Sequence, residues 1–346
     1  MLDMDCNLAY ASILLLPIFV VAFQRGAIAQ SAADQRVIRA GMIGLDTSHV
    51  PAFAKMFNAD DAAGDLGRVR IVAGYPGGTD LPASKNRVEG FTNDLHQMGI
   101  EIVPTIAELL QRVDVVLLES VDGRIHFQEA RPVIDAGKPL YIDKPMAGSL
   151  AEVIAIFELA KRKNVPCFSS SSLRYVPGVT AIKQNQQIGD IVGAVTWGPC
   201  SYQEGLPDMY NYGVHGVEAL FALMGTGCES ITRAHTEDTD VITGVWKDGR
   251  VGTYRGIRRH KGGFGAVAFG SDSIVTADNM SGYGPLCEVI AKFFVTGEVP
   301  VSSSETVELF AFLDAADISK QNGGGPVSIA DTISNARQQA MQLIEP

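Results

Sequence analysis

The strongest constraint on the fold is an alternation that runs from Val37 to about Ser170. Short apolar strand segments take turns with helical ones. "VIRAGMI" (Val37–Ile43), "VRIVAGY" (Val69–Tyr75), "GIEIV" (Gly99–Val103), "DVVLLES" (Asp114–Ser120), "PLYID" (Pro139–Asp143) and "VPCFSS" (Val165–Ser170) read as strands. "TIAELLQRV", "HFQEARPVIDAG" and "LAEVIAIFELAKRKN" read as helices between them. Strands that are apolar throughout, with no polar face, are buried on both sides. With helices between them they form a parallel sheet covered on both faces, so an α/β, Rossmann-like doubly wound fold is expected.

After Ser172 the pattern changes. "IVGAVTWG", "ESITRAH", "DVITGVW", "RVGTYRGI", "GAVAFG" and "SIVTA" are short strands divided by turns. Asp248-Gly249 marks a hairpin. "ETVELFAFLDAADISKQ" and "ADTISNARQQAMQLI" close the chain as helices. This half reads as an α+β domain with a mostly antiparallel sheet. The expected organisation is a Rossmann-like domain over 36–172 and a second domain over 173–346, whose C-terminal helices can pack back on the first.

Residues 1–29 read as a signal peptide. Ala11–Phe23 is an apolar run of signal-sequence length, and "AIA" (Ala27–Ala29) supplies small residues for cleavage. No Lys or Arg precedes the run, which departs from the usual pattern. A periplasmic or secreted location follows. No later segment has the roughly 18 consecutive apolar residues of a membrane helix. A formal net charge of -11 argues against nucleic acid as a partner. Of five Cys, Cys6 lies in the signal, and Cys167, Cys200, Cys228 and Cys287 are widely spaced. Four buried thiols are expected rather than a disulfide framework or a zinc site.

"GMIGLDTSH" (Gly41–His49) joins the first strand to a helix, the setting of the dinucleotide fingerprint G-x-G-x-x-G. Gly44 fills the first glycine position, Asp46 stands at the second and His49 at the third. Asp46 would put negative charge where a pyrophosphate lies. One reading is capping of the following helix by Asp46, Thr47 or Ser48. The other is a refitted loop, in which Asp46, His49, Glu119, His126 and His215 converge at the strand ends, where a divalent metal is possible.

An ordered series of motifs runs along the chain. "AGKPLYIDKP" (Ala136–Pro145) resembles A-G-K-x-V-x-x-E-K-P, with Asp143 for the usual Glu. "SLRYVPG" (Ser172–Gly178) resembles R-R-F-x-P, and "IGDIVGAV" resembles I-G-x-I-G. "NYGVHGVEAL" (Asn211–Leu220) resembles D-x-G-x-H-x-x-D, and "SIADTISNARQQAMQLI" forms a closing helix. In this order the series resembles the glucose–fructose oxidoreductase / inositol dehydrogenase (Gfo/Idh/MocA) family.

The resemblance implies an oxidoreductase acting on a small carbohydrate (a sugar, polyol or glycoside) with NAD or NADP. It implies Lys144 as acid/base or orienting group, His215 as partner base, and Asn211 in place of an Asp. Oxidising a carbinol needs a base for the hydroxyl proton. An amide can bond a sugar hydroxyl but accepts no proton. Arg174, Tyr175, Asn211 and His215 are the expected substrate contacts. Gly44, Asp46, Thr47, Ser48, His49, Glu119, His126, Asp143 and Lys144 are the expected cofactor contacts. Strand two ends on Tyr75 instead of an acid, and "ESVDGRIH" (Glu119–His126) keeps only the histidine of its family segment. These departures leave two alternatives open: a secreted lyase or hydrolase without net redox, and a non-catalytic sugar- or partner-binding protein. The resemblance also implies a homo-oligomer, dimer or tetramer, associating through the antiparallel sheet.

Overall fold

The computed structural model describes residues 37–259 and 262–345. The signal-peptide expectation, Cys6 and His260 lie outside these residues. Six parallel strands form the first sheet: β1 (Ile38–Ile43), β2 (Val69–Tyr75), β3 (Glu101–Ile102), β4 (Val115–Leu118), β5 (Leu140–Ile142) and β6 (Cys167–Ser169), in the order β3-β2-β1-β4-β5-β6. The order reverses between β1 and β4, so a crevice opens beyond their carboxyl ends, where doubly wound sheets hold ligands.

The sequence explains how each strand is fixed. Ala40, Met42 and Ile43 of β1 and Val116, Leu117 and Leu118 of β4 are fully buried. The Leu150–Lys163 helix is opened by Ser149, whose hydroxyl accepts from the Glu152 amide, and closed by Asn164 in the left-handed conformation. Its Leu150, Val153 and Ile156 pack into the main core.

The second sheet contains β7 (Ile191–Pro199), β8 (Cys228–His235), β9 (Thr239–Trp246), β10 (Val251–Ile257), β11 (Gly265–Gly270), β12 (Ile274–Thr276) and β13 (Val327–Ser328). Its order is β12-β11-β7-β10-β9-β8-β13, antiparallel throughout except for β7 with β10. The fold class therefore matches the expectation. The Gly213–Met224 helix is buried along its whole length and lies on β7 and β10. A Cβ at Gly216 would stand 2.2 Å from the Tyr254 ring, so only glycine lets helix and strand approach this closely.

Two connections tie the later chain to the first sheet. The Gly284–Thr296 helix packs Leu286, Ile290 and Phe293 into the same cluster as Met42, Val50 and Phe53. The Ile329–Ile344 helix lies along the Leu150–Lys163 helix. Cys167, Cys200, Cys228 and Cys287 are all buried free thiols, as the spacing suggests. Among the described residues no helix is long and apolar enough to cross a membrane.

Candidate active site

Gly44 turns the chain out of β1 with φ +81°. A Cβ there would lie 2.0 Å from the Ser120 hydroxyl, so the turn can follow β1 this closely past β4 only as glycine. The next residues lead into the His49–Phe57 helix. Ser48 holds the cap position but makes no side-chain capping bond.

Asp46 does not cap the helix either. Its carboxylate is fully buried and accepts from the Val121 amide at 2.7 Å and from the Ser84 hydroxyl at 2.6 Å. Ser84 in turn accepts from the Thr79 amide at 2.8 Å. Asp46 therefore ties the β1 turn to the loops after β4 and β2. Burial raises its pKa, against the lowering effect of these hydrogen bonds. The capping expectation is corrected: the side chain points into the protein, because the buried Ser84 hydroxyl and the part-buried Val121 amide need its oxygens more than the solvated helix end does.

A cavity of about 410 Å³ opens beyond the strand ends. Thr47, Ser48 and His49 line one side. Lys144 stands at the strand ends, and Asn211, Tyr212, His215 and Phe264 form the opposite wall. Residues 280–283 close over it, and Arg87 and Val121 also line it. The structure thus brings Lys144, His215 and Asn211 to one space with the start of the first helix.

His215 is held by Ser171, with Nδ1 2.6 Å from its hydroxyl. That hydroxyl oxygen already accepts from the Leu173 amide, so its hydrogen is free for Nδ1. In the tautomer in which Ser171 donates to Nδ1, the ring proton sits on Nε2. Burial first, then the nearby Lys144 and His49, hold the His215 pKa well below the ordinary histidine range, so the ring is neutral. Asn211 donates weakly to the Ser201 carbonyl at 3.3 Å, which leaves its amide oxygen as an acceptor.

His49 and Asp143 form a second unit. His49 Nδ1 lies 2.7 Å from Asp143 Oδ2, and the Tyr141 hydroxyl donates to Asp143 Oδ1 at 3.1 Å. Burial would raise the Asp143 carboxyl, but His49 and Lys144 outweigh it and hold it well below the usual carboxylate range. The His49 ring stacks on Phe53 and meets Tyr283 edge-on.

Several expected contacts go elsewhere. Arg174 does not line the cavity; its Nε pairs with Glu218 and its Nη1 with Glu305, each at 2.6 Å. Tyr175 packs against the core cluster that holds the Gly284–Thr296 helix. His126 is buried with its ring nitrogens against the carbonyls of Ser120 and Met146. Burial, the dominant influence, lowers its pKa. Of the five residues proposed to share a metal, only His49 and Glu119 come together. Asp46, His126 and His215 are held by the partners named above. The residues not foreseen are Ser171, Arg87 and the 280–283 segment. None of them carries a motif, and each reaches the cavity through tertiary packing.

The donor set fits a nicotinamide nucleotide. The Gly44 turn is kept, the Asp46 charge is turned away from the cavity, and Thr47 and Ser48 border the space at a helix N-terminus, a position suited to phosphate oxygens.

Residues 38–171 match the oxidoreductase family with an NAD-binding Rossmann fold, Gfo/Idh/MocA. The family's NAD-binding Rossmann region is thus present in this chain. No curated protein matches it in sequence. Similar solved structures include the "probable dehydrogenase" of Thermotoga maritima, at 18% identity and TM-score 0.70, covering 85% of this chain and 100% of that one. An oxidoreductase from Agrobacterium radiobacter, solved with NAD+, L-tartaric acid and magnesium, aligns at 14% identity and TM-score 0.68, covering 85% and 99%. Myo-inositol 2-dehydrogenase from Lactobacillus plantarum aligns at 15% identity and TM-score 0.67, again covering 85% and 99%. These likenesses establish the fold across nearly the whole described chain. They favour neither a lyase or hydrolase nor a non-catalytic binding protein.

Proposed function

We propose that this chain is an NAD(P)-dependent dehydrogenase of a sugar, polyol or glycoside, exported to the periplasm or secreted. The observation that carries the reading is the meeting of Lys144, His215 and Asn211 in one cavity with the start of the first helix. Export rests on the Ala11–Phe23 run and the "AIA" that follows.

A bound nicotinamide would supply the hydride acceptor for a carbinol carbon. The hydroxyl proton must leave at the same time, and Lys144 is the group placed to receive it. His215 serves as a donor rather than a base. Its neutral ring presents Nε2–H to the reacting oxygen and fixes the alcohol against Lys144. The Asn211 amide oxygen accepts from a second hydroxyl of the substrate. Phe264 and Tyr212 supply the apolar wall that suits a sugar ring face.

The cofactor choice leans to NADP. Strand β2 ends on Tyr75 rather than an acid for the ribose hydroxyls, and the cation Arg87 lines the cavity. One similar structure was solved with NAD+ and another is a myo-inositol 2-dehydrogenase, which supports the nucleotide and polyol parts of the reading.

Titration calorimetry of residues 30–346 with NAD+ and NADP+ should show saturable binding, and a polyol and glycoside panel should reduce the nucleotide. Lys144→Ala and His215→Ala should each lower kcat by about 10²–10⁴ while the melting temperature holds. Failure of both nucleotides to bind would overturn the proposal.

A further inference from the structure

The mechanism above leaves one buried group without a role. Glu119 follows β4 directly, at the floor of the crevice. It is fully buried, and neither carboxylate oxygen has a hydrogen-bond partner among the described residues. An ionised carboxylate in that state is costly, since each oxygen forfeits water with no replacement.

Its neighbours are His49 and Asp143. One ligand atom from each of the three residues lies within 4.8 Å of the others. Glu119 and Asp143 directly follow β4 and β5, and His49 opens the helix that the Gly44 turn leads into from β1. Asp143 already lies against His49 Nδ1 and the Tyr141 hydroxyl, which fixes the imidazole beside it. Glu119 alone is unanswered, and it faces the pair.

We propose that His49, Glu119 and Asp143 hold a divalent metal ion beneath the cavity. One imidazole and two carboxylates suit zinc or manganese better than a soft ion, and three protein ligands leave a position open. An ion here satisfies both Glu119 oxygens and balances two acids that otherwise face each other in a low dielectric. Binding requires His49 Nδ1 to give up the proton it shares with Asp143 and to part from Oδ2, now at 2.7 Å, to about 3 Å, while the Glu119 carboxylate closes in from within 4.8 Å. The site does not depend on the dehydrogenase reading and is tested without substrate or nucleotide.

Residues 30–346, purified without a histidine tag and stripped with chelator, should take up about one Zn²⁺ or Mn²⁺ per chain after dialysis, measured by elemental mass spectrometry. The melting temperature should rise with ion concentration and saturate. Glu119→Gln keeps the side-chain shape but loses the charge, and it should lose the ion and the thermal shift together. His49→Ala should do the same, and His235→Ala, outside the cluster, should bind as the parent does. Circular dichroism confirms that each variant is folded. Uptake that survives both Glu119→Gln and His49→Ala, or a chain that takes up neither ion, overturns the proposal.

Discussion

Asp46 offers the sharpest test of how the first loop is built. If its carboxylate ties two loops together, Asp46→Ala removes an acceptor from the Ser84 hydroxyl and from the Val121 amide. Ser84 is fully buried and Val121 only partly so. An orphaned buried donor costs about 1–3 kcal/mol, so the pair comes to about 2–4 kcal/mol with Val121 counted at the low end. Removing a carboxylate that burial already disfavours returns about 1 kcal/mol. The net loss is then about 1–3 kcal/mol, or about 2–6 °C in melting temperature for a domain of this size. Asp46→Asn keeps one acceptor and should fall about halfway. Because the side chain faces away from the cavity, NAD(P)H affinity in Asp46→Asn should stay within about fivefold. Thermal melts and nucleotide titrations on the same preparations decide the matter. A stability loss of only a few tenths of a kcal/mol, the cost of replacing a tolerable cap, would refute the tie. So would a rise of orders of magnitude in nucleotide affinity, which would put the carboxylate in the phosphate site.

Arg174→Met should cost about 3–5 kcal/mol, because it strands Glu218 and Glu305, while KM stays unchanged; a raised KM with an unchanged melting temperature would place Arg174 at the substrate instead. Burial raises the Glu129 carboxyl to about 7 despite its bond from Ser120. The fold thus favours the protonated acid, and that contribution is full below the ordinary glutamate pKa and lost as pH rises through about 7. A shift of this size is worth about 3 kcal/mol, so Glu129→Gln should flatten the decline in melting temperature between about pH 5 and pH 8, and an unchanged slope would count against it. The face of the second sheet opposite the Gly213–Met224 helix exposes Val245 and Val251. Light scattering should therefore give a dimer or larger that Val245→Lys weakens, and a monomeric parent at micromolar concentration would rule this out.

The fold was legible because it depends on periodicity. The apolar runs at β4 and β5, and the AGMI half of β1, can be buried only on both faces, and that points to a parallel sheet whatever its loops do. The positions of Lys144 and His215 were legible through motif spacing. Arg174 was misread for a physical reason: a motif places a residue along the chain, but it does not show which carboxylates fold against it, and Glu305 is 131 positions away. Ser171 and Arg87 carried no signal, since a serine beside a strand and a lone arginine are ordinary anywhere.

His49 and Asp143 were each visible as departures, but their connection was not. A histidine stands where the fingerprint has its third glycine, and an aspartate stands where the related motif has glutamate. The structure shows them in contact at 2.7 Å, so the shorter acid makes room for the imidazole that the loop admits. If the two departures compensate, reverting them singly should be worse than reverting both. His49→Gly strands a buried carboxylate and empties an aromatic contact, at about 3–5 kcal/mol. Asp143→Glu forces one methylene into a filled site, at about 1–3 kcal/mol. Together, glycine vacates the space the longer acid needs, and the double variant should be at least 1–2 kcal/mol more stable than the sum of the single losses predicts. Urea unfolding of the four proteins gives that coupling directly. Additivity within about 0.5 kcal/mol would mean that the two residues share a site without having been fitted to each other.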